Sequence, residues 1–368
     1  MDNRKVDVVI LTVIPEELVA AKKSLSINDT IINKHRTKHS QTIYLHGTVF
    51  SEQAQRIYNV AVGCIGKAGN YDAASSATEI IHEYDPRAVV LMGIAAGIRG
   101  KAKLGEVVFS ERIIGYESAA LRRLEDGRQV VEPRPDMPCL PNAIHQDVVF
   151  YLANQRDRHQ HSQQRVQSRF RQIGGCFPAS LVVQKDQLDE NDIPRTIEID
   201  ICAIASGEKL LRDPTILQGI RDHQHGRTKV GEMEAIGFAT ACQKMQCSWL
   251  VIRGVSDFGD PPKNDDFHQF ASRTAAAVLA DFLQHGLDLG RVSEQVSQVI
   301  VLNLLNCLLP SQFDAVLFKY GIEQAHLSTG TQNQRAIDLI RYATQKEGGE
   351  LSQLLTMIYT VAPHLQER

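Results

Sequence analysis

From Val6 to roughly position 290, apolar residues alternate between short β-rich runs and stretches with helical spacing. Val6 to Val13 reads as a strand and is followed by a helix from Pro15. Thr42 to Val49 and Arg56 to Cys64 read as a hairpin pair of strands, and Asn70 to Tyr84 as a helix. Ala88 to Met92 is a continuous apolar run, the pattern of a strand covered on both faces. Strands are also expected at Glu106 to Ile114, Ile197 to Ala205 and Ser248 to Val255. Helices are expected at Ala143 to Asn154, Glu234 to Met245 and Asp265 to His285. Such alternation predicts a mixed or parallel sheet with helices on both faces.

Two segments interrupt the pattern. Tyr116 to Pro141 is punctuated by proline and glycine and reads as a long loop, a type of segment that often carries function. Gln155 to Gln172 is polar and basic, with Arg156, Arg158, Arg165, Arg169 and Arg171. It reads as a solvated helix face, with a patch for a phosphorylated ligand as the alternative. Beyond position 288 the alternation stops. Residues 289–297 read as a linker, and everything from Gln298 onward reads as helical. Capping boxes are expected at Ser311–Asp314 and Thr331–Gln334, with Gly348 and Gly349 stopping the second helix. Phe313, Val316, Leu317 and Tyr320 form one apolar stripe; Ile337, Ile340, Tyr342 and Ala343 form a looser one. The expected organisation is an α/β domain over residues 1–288, the linker, and a compact helical module over 298–368.

Composition narrows the class without choosing a function. Hydrophobic residues make up 43% and charged residues 23% of the 368, as in ordinary globular proteins. A formal net charge of −3 gives no bias toward nucleic acid or anionic membrane. No apolar run has the length of a membrane span, and the N-terminal segment lacks a signal-peptide pattern, so a cytoplasmic protein is expected. Cys64, Cys139, Cys176, Cys202, Cys242, Cys247 and Cys307 show no CxxC spacing. They read as reduced thiols, with no metal site and no cofactor implied.

Candidate chemistry gathers at strand ends. Glu16 and Glu17 follow the first strand, Glu232 and Glu234 flank Met233, and Asp257 follows the run LVIRGVS. Ligands of open α/β sheets bind beyond the carboxyl ends of strands, so these acids are candidates to converge. Glycines at Gly63, Gly66 and Gly69, and at Gly93 and Gly97, follow strands where backbone could approach a ligand closely. No Walker lysine motif, HExxH or GxSxG occurs, which argues against NTPase, zinc protease and α/β-hydrolase chemistry.

The ordered series VILTVIPEELVAA, GCIGKAGNYDAA, VLMGIAAGI, LGEVVFS, AIASGEKLL, VGEMEAIG and VIRGVSDFGD resembles the nucleoside phosphorylase superfamily. Within it, the series is most similar to methylthioadenosine/S-adenosylhomocysteine nucleosidases and the nucleosidase domains of immune-like multidomain proteins. The resemblance spans roughly residues 6 to 285. It implies a three-layer α/β/α fold with a central mixed sheet, a homodimer, and hydrolysis of a purine N-glycosidic bond, adenine being the expected base. Carried over to this chain, Glu17 positions and deprotonates the attacking water. Met233 packs on the ribose, Glu234 holds its hydroxyls, and Glu232 supports the same pocket. Asp257, with Ser256 beside it, protonates purine N7, and Arg253 orients the acidic cluster. Ser206 to Leu211 reads the purine edge, so that Ser206, Leu210 and Leu211 are expected at the substrate, as are Gly93 and Ala95. Bond cleavage builds positive charge on ribose and negative charge on the base, which an acid at N7 and a carboxylate near the sugar would stabilise. The acid must arrive protonated, which burial beside a purine favours.

Departures from the family bear on substrate. Ile94 stands where a serine is common, and Leu210 where a base-stacking aromatic is common. Leu91 and Met92 stand where superfamily phosphorylases place an arginine, which favours water over phosphate as nucleophile. The basic segment and His35–His39 could receive a 5′-phosphorylated nucleoside such as ATP. Residues 298 to 362 resemble the small helical, death-like, effector-associated modules of bacterial conflict systems, which implies a recruited effector with a protein partner. Two alternatives remain at this stage: a phosphate-dependent phosphorylase and a non-catalytic nucleoside sensor. Retention of Glu17, Glu234 and Asp257 together argues against the sensor.

Overall fold

The structure, a computed structural model, describes residues 5–28, 30, 34–38, 42–157, 159–176, 178, 196–259, 266–290, 298–322, 326–346 and 351–365. His39, Arg158, Asp265, Gly348, Gly349 and linker residues 291–297 lie outside the described residues. The chain divides into two compact units, Met1–Leu289 and Gly290–Arg368.

The first unit is built on a mixed sheet of nine strands in the order β10-β9-β6-β11-β5-β1-β4-β3-β2. In chain order the sheet strands are β1 (Val8–Thr12), β2 (Lys34–Arg36), β3 (Ile43–Ser51), β4 (Arg56–Cys64), β5 (Ala88–Gly97) and β6 (Val107–Gly115). After them come β9 (Ile199–Ser206), β10 (Thr228–Glu232) and β11 (Ser248–Asp257). β1, β5 and β11 run parallel through the middle and are buried on both faces, as their continuous apolar runs require. β10 also pairs antiparallel with the far end of β5, at Val230–Gly97 and Gly231–Ala96. Five strands therefore close into a ring at one end of the sheet, and the ring draws the C-terminal ends of β5, β10 and β11 together.

Helices pack in two groups. α1 (Pro15–Ser24), α4 (His159–Gln172) and α7 (Asp266–His285) pack on one another, with α3 (Asn142–Asp157) beside α4. α2 (Asn70–Tyr84) packs on α6 (Ala235–Lys244). With α5 (Pro214–His223) beside β10, these are the helix layers of the α/β unit.

Several elements differ from expectation. The segment Tyr116 to Pro141 carries a hairpin, β7 (Ala119–Arg123) with β8 (Gln129–Pro133), turning at Asp126-Gly127 with Gly127 at φ 85°. An Asp-Gly pair is a strong hairpin signal, but the flanking strands are mostly exposed and lack clear alternation. Gly93 and Gly97 do not follow the strand but belong to it: β5 continues to Gly97. The basic helix α4 is more than a solvated face. Val166 and Phe170 are fully buried, Arg165 grips Asp281 of α7 at 2.8 Å, and Arg169 donates to the Ser24 carbonyl at 2.8 Å. Those two arginines bind the helix layer together instead of presenting a ligand patch.

The second unit comprises α8 (Gln298–Cys307), α9 (Pro310–Tyr320), α10 (Gln332–Lys346) and α11 (Ser352–Val361). Its own core contains Val301, Leu305, Phe313, Val316, Leu339, Leu354 and Ile358. The α9 stripe of Phe313, Val316, Leu317 and Tyr320 is buried as its spacing requires. On α10 the buried stripe is Ala336, Leu339, Ile340 and Ala343, one position round from Ile337. α9 starts at Pro310, whose fixed φ suits the first helical position, so Ser311 lies inside the helix and does not cap it. Thr331 does cap α10, its hydroxyl accepting from the Gln334 N–H at 3.4 Å. Among the described residues, no helix is long and apolar enough to cross a membrane.

Candidate active site

A cavity of about 200 Å³ opens where β5, β10 and β11 end and α1 begins. Its lining includes Glu17, Ala95, Leu210, Leu211, Glu232, Met233, Glu234, Arg253, Ser256 and Asp257. The ends of the sheet thus bring ten of the twelve residues singled out by sequence to one place. Gly93 packs against Glu17 and Arg253 of this lining, and Ser206 instead lines a neighbouring cleft with Asn70, Glu208 and Ile236.

Glu17 is fixed by backbone. Ile14 leaves β1 in an extended conformation and Pro15 starts α1, which puts Glu17 at the third helical position. Its side chain turns back onto the start of the helix, as in the reciprocal half of a capping box. Oε2 accepts from the Val13 N–H at 2.7 Å and the Ile14 N–H at 3.2 Å. Oε1 accepts from the Ile94 N–H at 2.9 Å. The isoleucine that replaces a common serine therefore contributes its backbone. Burial pushes the Glu17 carboxyl above its ordinary value, against the pull of Arg253 and these three amides. Neighbouring Glu16 instead lines a separate surface cleft with Lys23 and Arg273.

Arg253 is the hub. It lies on β11, 1% exposed, and its Nη2 donates to both Glu232 and Glu234, the latter at 3.1 Å. Gly93 sits beside it on β5. A Cβ there would lie 2.3 Å from Arg253 Nη1 and 2.4 Å from Glu17 Oε1, so only glycine leaves room for both side chains. This is the physical reason for a glycine inside a buried strand. Glu232 ends β10 and accepts from the Glu234 N–H at 3.1 Å and the Ala235 N–H at 3.0 Å. It thereby caps α6, where the helix dipole favours an anion.

Glu234 precedes α6 and accepts from the Gly69 N–H at 3.2 Å. Gly69 has φ 130°, a conformation that L side chains rarely adopt, and this lets the GKAGN turn aim its amide inward. Burial pushes the Glu234 carboxyl up to about 7, with Glu232 and Glu17 adding to the rise and Arg253 opposing it. One guanidinium facing three carboxylates cannot neutralise all of them, which makes a retained proton physically reasonable. A carboxyl raised in this way holds its proton more tightly folded than unfolded. Its contribution to stability is complete below pH 4.5 and is lost as pH rises toward 7. Glu234→Gln should flatten the decline of Tm with pH across that window, as calorimetry would read; an unchanged profile would remove Glu234 as its source.

Asp257 ends β11. Its Oδ2 accepts from the Ser256 hydroxyl at 2.9 Å and its Oδ1 from the Gly259 N–H at 2.8 Å. Both contacts fix the carboxyl at the cavity edge. Ser206 is buried and serves the frame: its hydroxyl donates to Asn70 Oδ1 at 3.1 Å and accepts from the Ile236 N–H at 3.0 Å. Asn70 Oδ1 also accepts from the Gly237 N–H at 3.0 Å, locking the starts of α2 and α6 to β9. Sequence reasoning assigned no role to Asn70, or to Ala68 and His268 of the lining; Lys209 fell within the segment expected at the purine edge, and Gly69 was expected to bring backbone to a ligand, whereas its amide holds Glu234. The GCIGKAGN run was the available signal for Asn70 and Ala68. Leu91 and Met92 are wholly buried core residues, and Arg253 is engaged by carboxylates. Among the described residues, no group of three or more His, Cys, Asp or Glu is placed to hold a metal ion.

Residues 7–172 match the model of the phosphorylase superfamily. The chain is 39% identical over 279 residues to the ATP nucleosidase Cap17 of Escherichia coli, which covers 76% of this chain and 51% of that protein. It thus spans about half the length of that relative. It is 25% identical over 207 residues to a 5′-methylthioadenosine/S-adenosylhomocysteine nucleosidase of Bacillus cereus, covering 56% of this chain and 72% of the relative. In fold, the chain is similar to an S-adenosylhomocysteine nucleosidase of Streptococcus pyogenes crystallised with 5-methylthiotubericidin. That match has a TM-score of 0.53 at 15% identity, covering 76% of this chain and 97% of the other.

Proposed function

We propose that this chain is a purine nucleosidase that uses water to split the N-glycosidic bond of an adenine nucleotide, with ATP as the favoured substrate. The observation that carries the reading is the convergence of Glu17, Glu234 and Asp257 on one cavity around Arg253. The choice of an adenine nucleotide is supported by the 39% identity to a protein named an ATP nucleosidase.

The chemistry follows from the positions. Glu17 takes a proton from water, whose oxygen bonds to C1′ as the C1′–N9 bond breaks. The electron pair leaves with the base, and Asp257 delivers a proton to N7. Water is thus divided between sugar and base, and the products are free purine and the ribose phosphate. Glu234 and the sugar-facing carboxylate edge stabilise the cationic ribose, and Met233 packs against it. A phosphorylase on this fold would need a cation for inorganic phosphate; buried Leu91 and Met92 offer none.

The test is a substrate panel. Purified chain is incubated with adenosine, methylthioadenosine, S-adenosylhomocysteine, AMP and ATP, with and without phosphate, and free base is measured by chromatography. Adenine should appear from the nucleotide without phosphate. Base release that depends strictly on phosphate would replace this reading with a phosphorylase.

We also propose that the enzyme unit works as a homodimer and that the helical unit is a death-like adaptor recruiting it to a protein partner. What supports the latter is the separate core of the helical unit and the position of every assigned acid before residue 260. A chain ending at Leu289 should release base at the full-length rate yet fail to co-purify with the partner of the full-length chain. Loss of activity on this deletion would make the helical unit a structural appendage.

A further inference from the structure

The cavity is an unwelcoming place for an anion. Glu17, Glu232, Glu234 and Asp257 line it, and its most buried cation, Arg253, is already held by two of them. Repulsion of this kind has to be met by a hydrogen-bond donor or a cation near the anionic group. Two other lining residues can supply one, Lys209 and His268. Lys209 sits on the base-facing segment next to Leu210, with its ammonium 3.2 Å from Glu117 and its side chain 75% exposed.

The roles assigned to the other walls orient the sugar. The base lies toward Asp257 and Leu210–Leu211, the ribose hydroxyls toward Glu234, and C1′ toward Glu17. The 5′ carbon is borne on C4′, on the other side of the ring oxygen from C1′. Among the described residues, the lining given no contact to base or ribose is Val13, Ile14, Ala68, Ile94, Ala96, Gly231 and His268, beside Lys209. All but Lys209 and His268 present apolar side chains or backbone. His268 is partly buried in the first turn of α7.

We propose that His268 is a specificity residue that donates to the 5′-phosphoryl group, making this a site for 5′-phosphorylated purine nucleosides and not for neutral 5′-substituted ones. The inference rests on the nucleosidase reading and adds to it the 5′ contact. A hydrogen bond from an imidazole N–H to a phosphate oxygen is directional and is strengthened by the charge of the acceptor.

The experiment compares full-length wild type, His268→Ala and His268→Arg on ATP, AMP and adenosine, reading kcat and KM for base release. In H268A the ratio of kcat/KM for ATP to that for adenosine should fall by about 10–100-fold, carried mainly by KM. H268R, which keeps a donor, should recover part of that ratio. An unchanged ratio in H268A would overturn the proposal. So would an equal loss on all three substrates with no recovery in H268R, which marks a packing role. A wild type that releases base from adenosine or methylthioadenosine but not from ATP or AMP would overturn this inference and leave the nucleosidase reading standing. Release of base from none of them would overturn both.

Discussion

Asp257→Asn should lower base release by about 10²–10⁴-fold, the usual worth of a general acid, with little change in Tm. The substitution suits its surroundings. The amide oxygen can keep the Gly259 N–H, now at 2.8 Å, and the amide nitrogen can donate to Ser256 Oγ, now at 2.9 Å. Shape and hydrogen bonding survive, and the proton for N7 is lost. A leaving group that needs no proton, such as p-nitrophenol on the same ribose, should be cleaved by the variant far closer to the wild-type rate. Unchanged turnover of the purine substrate would remove Asp257 from the chemistry.

Glu17→Gln should be the harsher change despite its similar size. Among the described residues, the hydrogen-bond partners of Glu17 are donors: two amides on Oε2 and one on Oε1. An amide side chain has to turn its NH₂ toward at least one of these N–H groups, leaving buried donors face to face. Each buried donor left unsatisfied costs about 1–3 kcal/mol. A loss of Tm of several degrees is therefore expected together with a loss of at least about 10²-fold in kcat, since the base for water is gone. Glu17→Asp separates the two effects. It restores charge and acceptor character, so it should recover stability better than rate. If E17Q were as stable and as active as wild type, the carboxylate would be neither the base nor the anchor of the α1 start.

The contrast between these two acids explains what the sequence could reveal. The acids were legible because each stands directly after a β-rich run, and strand ends converge in such folds. Arg253 was legible only through the family resemblance, which implied that it orients the acidic cluster. What could not be read was the closure of the ring by β10 on β5, since it depends on a long-range pairing at Gly97 and Gly231. Without it, the strand was expected to end at Met92, and Gly93 to Gly97 was not seen as its continuation, narrowed at Gly93 to admit Glu17 and Arg253. β10 itself, TKVGE, is short and ends in a charge, so it gave no strand signal. α5 was missed although Asp213 and Pro214 open it with an N-cap contact of 2.9 Å to the Thr215 N–H. The arginines of α4 read as a solvated face, with an anion patch as the alternative; instead Arg165 meets the buried Asp281 carboxylate inside the helix layer.

Hydrolysis in ¹⁸O-labelled water, with the products resolved by mass spectrometry, tests the central claim most directly. If Glu17 delivers water to C1′ while Asp257 protonates the base, one ¹⁸O should enter each sugar product at C1 and none should enter the adenine, with or without phosphate present. Time-zero sampling and a sugar-exchange control set the background. Sugar product that carries no label above that background, or that appears only as ribose 1-phosphate when phosphate is supplied, would contradict water attack at this site.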